Sequence, residues 1–348
     1  MTLDARPARP GPLACPRCRA PLSQAPLAGD AEPALRCSLC DARYPVRFGI
    51  PDLRLAADPW IGIDDEVAKI ERVLARAAGR GYAETVRAYW EETPATPRGL
   101  AARYAALVSG GIDREGAIVA RLVERLSAGA GASRVLEIGC GTGGFCAAAA
   151  RRGLASAGVD VALRWLAIAK RRFAELGVDP LLAAASIDAL PFADGAFDFV
   201  IGADVIDHLR APASGLAEVR RVLAPGGHLY LSTPNRFSVA PDPHVRVPFV
   251  GWLPRRLQGA WVQLAGGVPF RETFLVSARD VERLLAAAGF DEIRVEPAEP
   301  VPGDGARLAG VEARLLPIYE RLRASGVGRR VLRALGPLLE ATARAPRG

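Results

Sequence analysis

The sequence predicts an α/β protein, a doubly wound, mostly parallel sheet with helices on both faces, preceded by a small N-terminal ribbon. Three observations predict it. From about residue 113 to 296, short apolar runs alternate with helical sequence. At 135–145 an apolar run and an acid lead into a glycine loop, VLEIGCGTGGF. Four of the six cysteines, Cys15, Cys18, Cys37 and Cys40, lie near the start of the chain.

The cysteines come first in the chain. They form a C-x-x-C, an eighteen-residue spacer (19–36) and a second C-x-x-C. Each pair suits a tight knuckle, and two knuckles offer four thiolates at tetrahedral angles, the pattern of a structural Zn2+ site with no open position for water. Disulfide pairing is the competing reading, and a reducing compartment argues against it. The following DARYPVRFGIPDL resembles the zinc-ribbon modules of the Trm112-like type. Residues 1–57 therefore read as a zinc ribbon, too small to hold a fold without its metal.

Residues 58–112 read as a helical linker or cover, with Pro and Gly breaks, the aromatic residues Tyr89, Trp90 and Tyr104, and the stretch DDEVAKIERVLARAA. REGAIVARLVERL places Ile118, Leu122, Val123 and Leu126 on one helical face ahead of a strand at Arg134–Ile138. Further buried strands are expected at Gly158–Val161, Phe197–Ile201 and His228–Ser232, separated by LRWLAIAKRRFAEL and PASGLAEVRRVL. Between residues 234 and 274 an insertion carries Phe249, Trp252, Leu253, Trp261 and Val262, with Arg255 and Arg256 among them. It reads as a roof over an apolar pocket, a membrane-interface segment or a packed helical hairpin. Beyond it come the helix SARDVERLLAAAGF, the strand DEIRVEP, a Pro/Gly loop and a helix-rich stretch. LLEATARA reads as a last, antiparallel strand that closes the sheet, or as a terminal helix; residues 297–348 form the C-terminal part.

Glycines between a strand and a helix let backbone approach a ligand, and an acid ending the next strand, here Asp160, can accept from ribose hydroxyls. The loop also fits G-x-G-x-x-G, so spacing alone leaves a dinucleotide open. None of the six tyrosines has a lysine four residues later, and the chain holds only Lys69 and Lys170, which leaves little for hydride-transfer chemistry that uses a lysine. SIDALPFADGAFDFVIGADVIDHL (186–209) and RRVLAPGGHLYLSTPNR (220–236) follow the glycine loop in order. Together the three blocks resemble the class I S-adenosylmethionine-dependent methyltransferases of the type 11-like group, over about residues 114–296, with a Rossmann-like sheet.

The resemblance implies that S-adenosyl-L-methionine is the methyl donor. Glu137 would anchor the loop and the amino-acid end of the donor, which Gly139, Cys140, Gly141 and Gly143 would line. Asp160 would hold the ribose with Val161 beside it, Ile187 and Asp188 would flank the adenine, and Ala203 and Asp204 would follow the fourth strand beneath the sulfonium. Each has a structural alternative: Asp160 and Asp188 suit caps, and Cys140 suits a small turn position. Catalytic candidates are His208, just after the fourth strand, and His244, which enters the substrate pocket or sits in a surface loop; His228 reads as structural. Asp204, Asp207 and His208 resemble the E-x-x-E-H stretch of ubiquinone-pathway O-methyltransferases, where such groups engage a divalent cation, but the shorter aspartates put that metal in doubt.

The acceptor reads as a small-molecule or lipid-like metabolite methylated at O, N or C. The alternatives are a rRNA or tRNA base methyltransferase, and a non-catalytic cofactor-binding scaffold or activator. The net charge of +7 is carried almost wholly by scattered arginines, which favours a solvated basic surface over a nucleic-acid track. No apolar run reaches the ~18 residues of a transmembrane span, and the opening segment has no secretory pattern, so a cytoplasmic protein is expected. Oligomeric state is not readable.

Overall fold

In a computed structural model of the chain the described residues are 13–25, 33–94, 96–126, 134–270, 273–302 and 311–347. The predicted opening segment, the side chain of Leu126 and the Pro/Gly loop at 303–310 lie outside them. Seven strands make one mixed sheet, and four short ones make a separate antiparallel ribbon. The chain divides into two units, residues 1–200 with 221–224, and residues 201–220 with 225–348.

The first unit opens with the ribbon strands β1 (Leu22–Gln24), β2 (Ala34–Cys37), β3 (Arg43–Arg47) and β4 (Ile50–Pro51), paired in chain order. Four helices follow, α1 (Ile63–Arg76), α2 (Tyr82–Glu91), α3 (Arg98–Ser109) and α4 (Ile112–Leu126). α1 carries Asp64, Asp65 and Glu66 in its first turn, where acids meet the positive end of the helix dipole. Its Ile70 and Val73 are buried. Tyr82, Val86 and Tyr89 of α2 pack with Val73 and Ile168, and the Tyr89 ring lies 4.1 Å from that of Trp165. Residues 58–112 thus supply core as well as cover.

Next come β5 (Arg134–Ile138), α5 (Gly144–Ala150), β6 (Ala155–Asp160), α6 (Leu163–Leu176) and β7 (Leu181–Ala184). The three strands are parallel, with Leu136 opposite Ala157 and Gly158 opposite Leu182. β6 begins three residues before the expected Gly158, because the small residues of ASAGV are buried throughout. Gly158 is required: a Cβ there would lie 2.8 Å from the sulfurs of both Cys140 and Cys146.

β7 is a sheet edge, and the ribbon covers it. Just past β4, Asp52 bridges Ala184 in parallel, and Leu53 N donates to Ala184 O at 2.8 Å. An exposed edge of unpaired backbone is thereby closed. The ribbon also donates from Ala14 N to Pro191 O at 2.9 Å.

The remaining elements are β8 (Phe197–Ala203), α7 (Pro212–Val222), β9 (Leu223–Pro234), α8 (Arg255–Gly266), α9 (Ala278–Ala287), β10 (Asp291–Pro297), α10 (Val311–Ala324), α11 (Gly326–Leu335) and β11 (Leu338–Arg344). The sheet order is β10-β11-β9-β8-β5-β6-β7. LLEATAR is a strand, antiparallel to both β9 and β10, but it does not close the sheet. It sits between β9 and β10, which leaves β10 at the edge; its alternating buried residues, Leu339, Ala341 and Ala343, suit an interior position. Leu338–Arg344 pairs residue for residue with Pro234–His228, so His228 belongs to the ladder.

In the second unit Val247, Val250, Val262 and Val268 of the insertion form a small core with Leu275 just beyond it, whereas Phe249 and Trp252 are exposed. Among its described residues the insertion contains a single α-helix, α8, rather than a helical hairpin. α9 starts with a capping box in which Ser277 and Asp280 satisfy each other's backbone. No helix among the described residues is long and apolar enough to cross a membrane.

Candidate active site

The glycine loop bends through three left-handed residues, Gly139 (φ 58°), Gly141 (φ 49°) and Gly143 (φ 67°), a conformation that a side chain opposes. Gly143 is also sterically fixed, since a Cβ there would lie 2.5 Å from the ring of Phe173. At Gly141 a Cβ would meet no atom within 4 Å, so the backbone presents itself to open space. This is the cradle that a closely approaching ligand requires. The Cys140 side chain is buried against Gly158, so only its backbone belongs to the loop.

Two carboxylates hold the loop. Glu137, at the end of β5, accepts from Cys146 N at 2.8 Å and so caps the first turn of α5. Burial pushes its carboxyl up from 4.5 to about 7, against the Cys146 hydrogen bond that favours the charged form. Asp160, ending β6, accepts from Gly141 N and Ala162 N, each at 2.7 Å. It therefore ties the loop to the next helix and keeps lone pairs for a further donor. Burial raises its pKa, partly offset by those two amides.

Glu137 gives a pH test of this packing. A carboxyl whose pKa is raised on folding contributes stability that is complete below 4.5 and lost as pH rises through about 7. The neutral Glu137→Gln variant lacks this dependence. Its stability relative to the parent is expected to rise by roughly 3 kcal/mol between pH 4 and pH 8, at ~1.4 kcal/mol per pH unit, as measured by urea unfolding. A pH-independent difference contradicts the assignment.

Ile187 and Asp188 stand in a short 3-10 turn (Ile187–Ala189), and Val161 follows Asp160 directly. Here the structure adds residues with no sequence signal. Arg54 of the ribbon donates to Val161 O at 2.9 Å and pairs with Asp52 and with Glu66 of α1, both at 2.7 Å. Glu66, fully buried, also pairs with Arg164 at 2.8 Å, and Arg164 with Asp58 at 2.6 Å. From α2, the Tyr82 hydroxyl lies 2.9 Å from the Thr142 hydroxyl inside the glycine loop. Only long-range packing brings these side chains to the loop, so no local spacing reveals them.

The ribbon cysteines converge. Cys15–Cys40 and Cys18–Cys37 sulfurs are 3.6 and 3.3 Å apart, and all four lie within 4.8 Å of one another. Sulfurs bound to zinc at ~2.3 Å are separated by about 3.8 Å, whereas a disulfide is ~2.0 Å. Amides of Leu39 and Cys40 point at Cys37 Sγ, as in a metal knuckle. The cluster is compatible with a zinc ribbon.

In the second unit the two candidate histidines meet on one carboxylate. Asp207, fully buried in the turn Ile206–His208, has Oδ2 at 3.1 Å from His244 Nε2 and 3.8 Å from His208 Nε2. The two rings are edge to face with centroids 5.0 Å apart. His244 stands in a turn of the insertion with about a quarter of its side chain exposed (27%), and Asp242 accepts from its backbone N at 2.9 Å. Burial opposes its charge, but Asp207 hydrogen bonding, with Asp242 and Asp204 nearby, lifts its pKa from 6.5 to about 9. Burial likewise opposes the Asp207 carboxylate, but the two histidines hold it below its usual value. Asp207 Oδ1 is buried with no hydrogen-bond partner among the described residues. The donor atoms of Asp207, His208 and His244 all lie within 4.8 Å, and Asp204, at the end of β8 with φ 54°, is not of that group. The E-x-x-E-H-like set expected from sequence is thus replaced by one that recruits His244.

Residues 136–231 match the family model described as "Methyltransferase domain". No curated protein matches the chain. Among solved structures it is similar to phosphoethanolamine N-methyltransferase 2 of Haemonchus contortus in complex with S-adenosyl-L-methionine, at 20% identity and a TM-score of 0.49, over 75% of this chain and 60% of that one. It is similar to an S-adenosylmethionine-dependent methyltransferase from Mesorhizobium loti at 24% identity and a TM-score of 0.42, over 64% and 97% of the two chains. A third similarity is to a complex between the Haloferax volcanii Trm112 methyltransferase activator and a putative methyltransferase, at 18% identity and a TM-score of 0.43, over 73% and 99%. The two Haemonchus structures are matched over only 60% and 54% of their own length. Residues 136–231, which hold the glycine loop, Asp160 and the Asp207–His208 turn, therefore carry a methyltransferase domain.

Proposed function

We propose that this protein methylates an O, N or C nucleophile of a small or lipid-like acceptor. The observation that carries the reading is the open backbone at Gly141 tied directly to the Asp160 carboxylate. Gly139, Gly141, Gly143 and the Cys140 backbone receive the amino-acid end of the donor, with Glu137 fixing the loop. Asp160 and Val161 take the ribose, Ile187 and Asp188 the adenine, and Ala203 and Asp204 the region beneath the sulfonium. S-adenosylmethionine supplies a methyl carbon that is already electrophilic, so the protein's work is alignment and exclusion of water.

On the acceptor side, His208 takes the proton of a nucleophile that has one to lose, and His244 acts with Asp207 to position it. The unpartnered Asp207 Oδ1 offers a buried acceptor for a hydroxyl or amine. Zn2+ in the four-cysteine cluster keeps the ribbon folded. The division into ribbon (1–57), cover (58–112), catalytic domain (113–296) and C-terminal part (297–348) is retained as the working organisation.

His208→Ala and His244→Ala test the assignment. Release of S-adenosylhomocysteine from protein incubated with labelled donor and a metabolite extract is expected to fall by 10²-fold or more in each, with donor affinity within about twofold of the parent. Full turnover in both variants removes the histidines from the mechanism.

A further inference from the structure

The second unit contains a cavity of about 370 Å3 whose electrostatics are one-sided. Four guanidinium groups line it, Arg210, Arg236, Arg255 and Arg283, against one carboxylate, Asp280. That carboxylate is committed: Oδ2 accepts from Ser277 N and Oγ at 3.0 and 2.6 Å, and Oδ1 pairs with Arg283 at 3.0 Å. Arg236 and Arg255 have no carboxylate in ion-pair range among the described residues. Each is held by other means, Arg236 by donation to Gly251 O at 3.1 Å and Arg255 over the Phe274 ring at 5.7 Å.

Arg255 also stands against a local rule. It opens α8 with Arg256, at the end where the helix dipole is positive, with no acid in the first turn and no side-chain cap from Pro254. Two cations at an uncapped helix start lower helix stability, and such a conflict is retained where a ligand supplies the missing negative charge. The remaining wall is apolar, built from Ile206, Phe274, Val276 and Leu284. Ile206 belongs to the same short turn as Asp207 and His208.

We propose that this cavity binds an amphipathic anion, a carboxylate or phosphate head on an apolar body, and that this molecule is the methyl acceptor. The second clause rests on the methyltransferase reading above; the binding clause does not. A neutral lipid-like acceptor would leave the charge of Arg236 and Arg255 unanswered.

Calorimetry with the full chain, using decanoate, decyl phosphate and decanol as probes, tests it. Both anions, or one of them, are expected to bind at least tenfold more tightly than decanol, weakening as salt rises, and the stronger anion identifies the head group. Arg255→Glu is the diagnostic variant. An acid at the start of α8 raises the melting temperature by relieving the dipole conflict, yet lowers anion affinity tenfold or more while leaving decanol unchanged. Arg236→Gln provides a second loss of anion affinity if the first variant folds poorly. Equal binding of decanol and the anions, no binding of any probe, or unchanged anion affinity in folded Arg255→Glu overturns the proposal. S-adenosylhomocysteine titrated into the same samples separates the two claims: its failure to bind defeats the donor reading and leaves the anion result standing.

Discussion

Replacing Glu66 with glutamine is expected to destabilise the protein by about 3 kcal/mol or more and to weaken donor binding roughly tenfold, although Glu66 is not among the proposed donor contacts. Its two oxygens serve two different arginines, Arg54 from the ribbon and Arg164 at the start of α6, and it has no exposure to water. Removing its charge leaves two buried guanidinium groups short of a partner, a cost that a surface ion pair never reaches. Arg54 also holds Val161 O, the carbonyl beside Asp160, so loosening it transmits to the side of the loop proposed to take the donor ribose. Removing the proposed Zn2+ from the four cysteines acts on the same anchor from the other end and is expected to lower donor affinity in the same direction. Urea unfolding and calorimetry on the variant check both effects; a loss under 1 kcal/mol with unchanged affinity removes the network from the account.

Two alanine substitutions two residues apart are expected to separate folding from binding. Gly143→Ala combines a left-handed φ of 67° with a methyl 2.5 Å from the buried Phe173 ring. Backbone strain and overpacking together cost roughly 2–4 kcal/mol. Gly141→Ala has a comparable φ of 49° but an empty neighbourhood, so its cost to folding is about 1 kcal/mol. Its methyl group instead occupies the space into which the donor must come, and donor affinity falls at least tenfold. Thermal unfolding and donor titration on each variant distinguish the effects. Equal folding costs, or a Gly141→Ala protein that binds donor normally, contradict the reading of the loop.

Much of this architecture was legible because it is written locally. Alternating apolar runs mark the strands, Gly139, Gly141 and Gly143 mark a bend of left-handed backbone, and the cysteine spacing marks the ribbon. What could not be read depends on contacts distant in sequence. Nothing local tells that Leu53 pairs with Ala184 on the sheet edge, or that Arg54 meets Glu66 and Val161, because neither partner carries a signal of the other in its own stretch of sequence. LLEATAR alternates as a strand does, but its place between β9 and β10 is set by partners on both sides. His244 was ambiguous for the same reason: thirty-seven residues separate it from Asp207, and only the folded insertion brings them together. Asp160 accepts from Ala162 N, two residues on, as its local reading allows, but its second contact, with Gly141 N, comes from the preceding loop and has no local signal.

The measurement that bears most directly on the whole account is a calorimetric titration of the full chain with S-adenosylhomocysteine and, separately, with a nicotinamide dinucleotide, repeated on Asp160→Ala. Saturable binding of the first at one site per chain, lost in the variant, together with no binding of the second, is the predicted result. Tight binding of the dinucleotide with none of the sulfur nucleoside would contradict it.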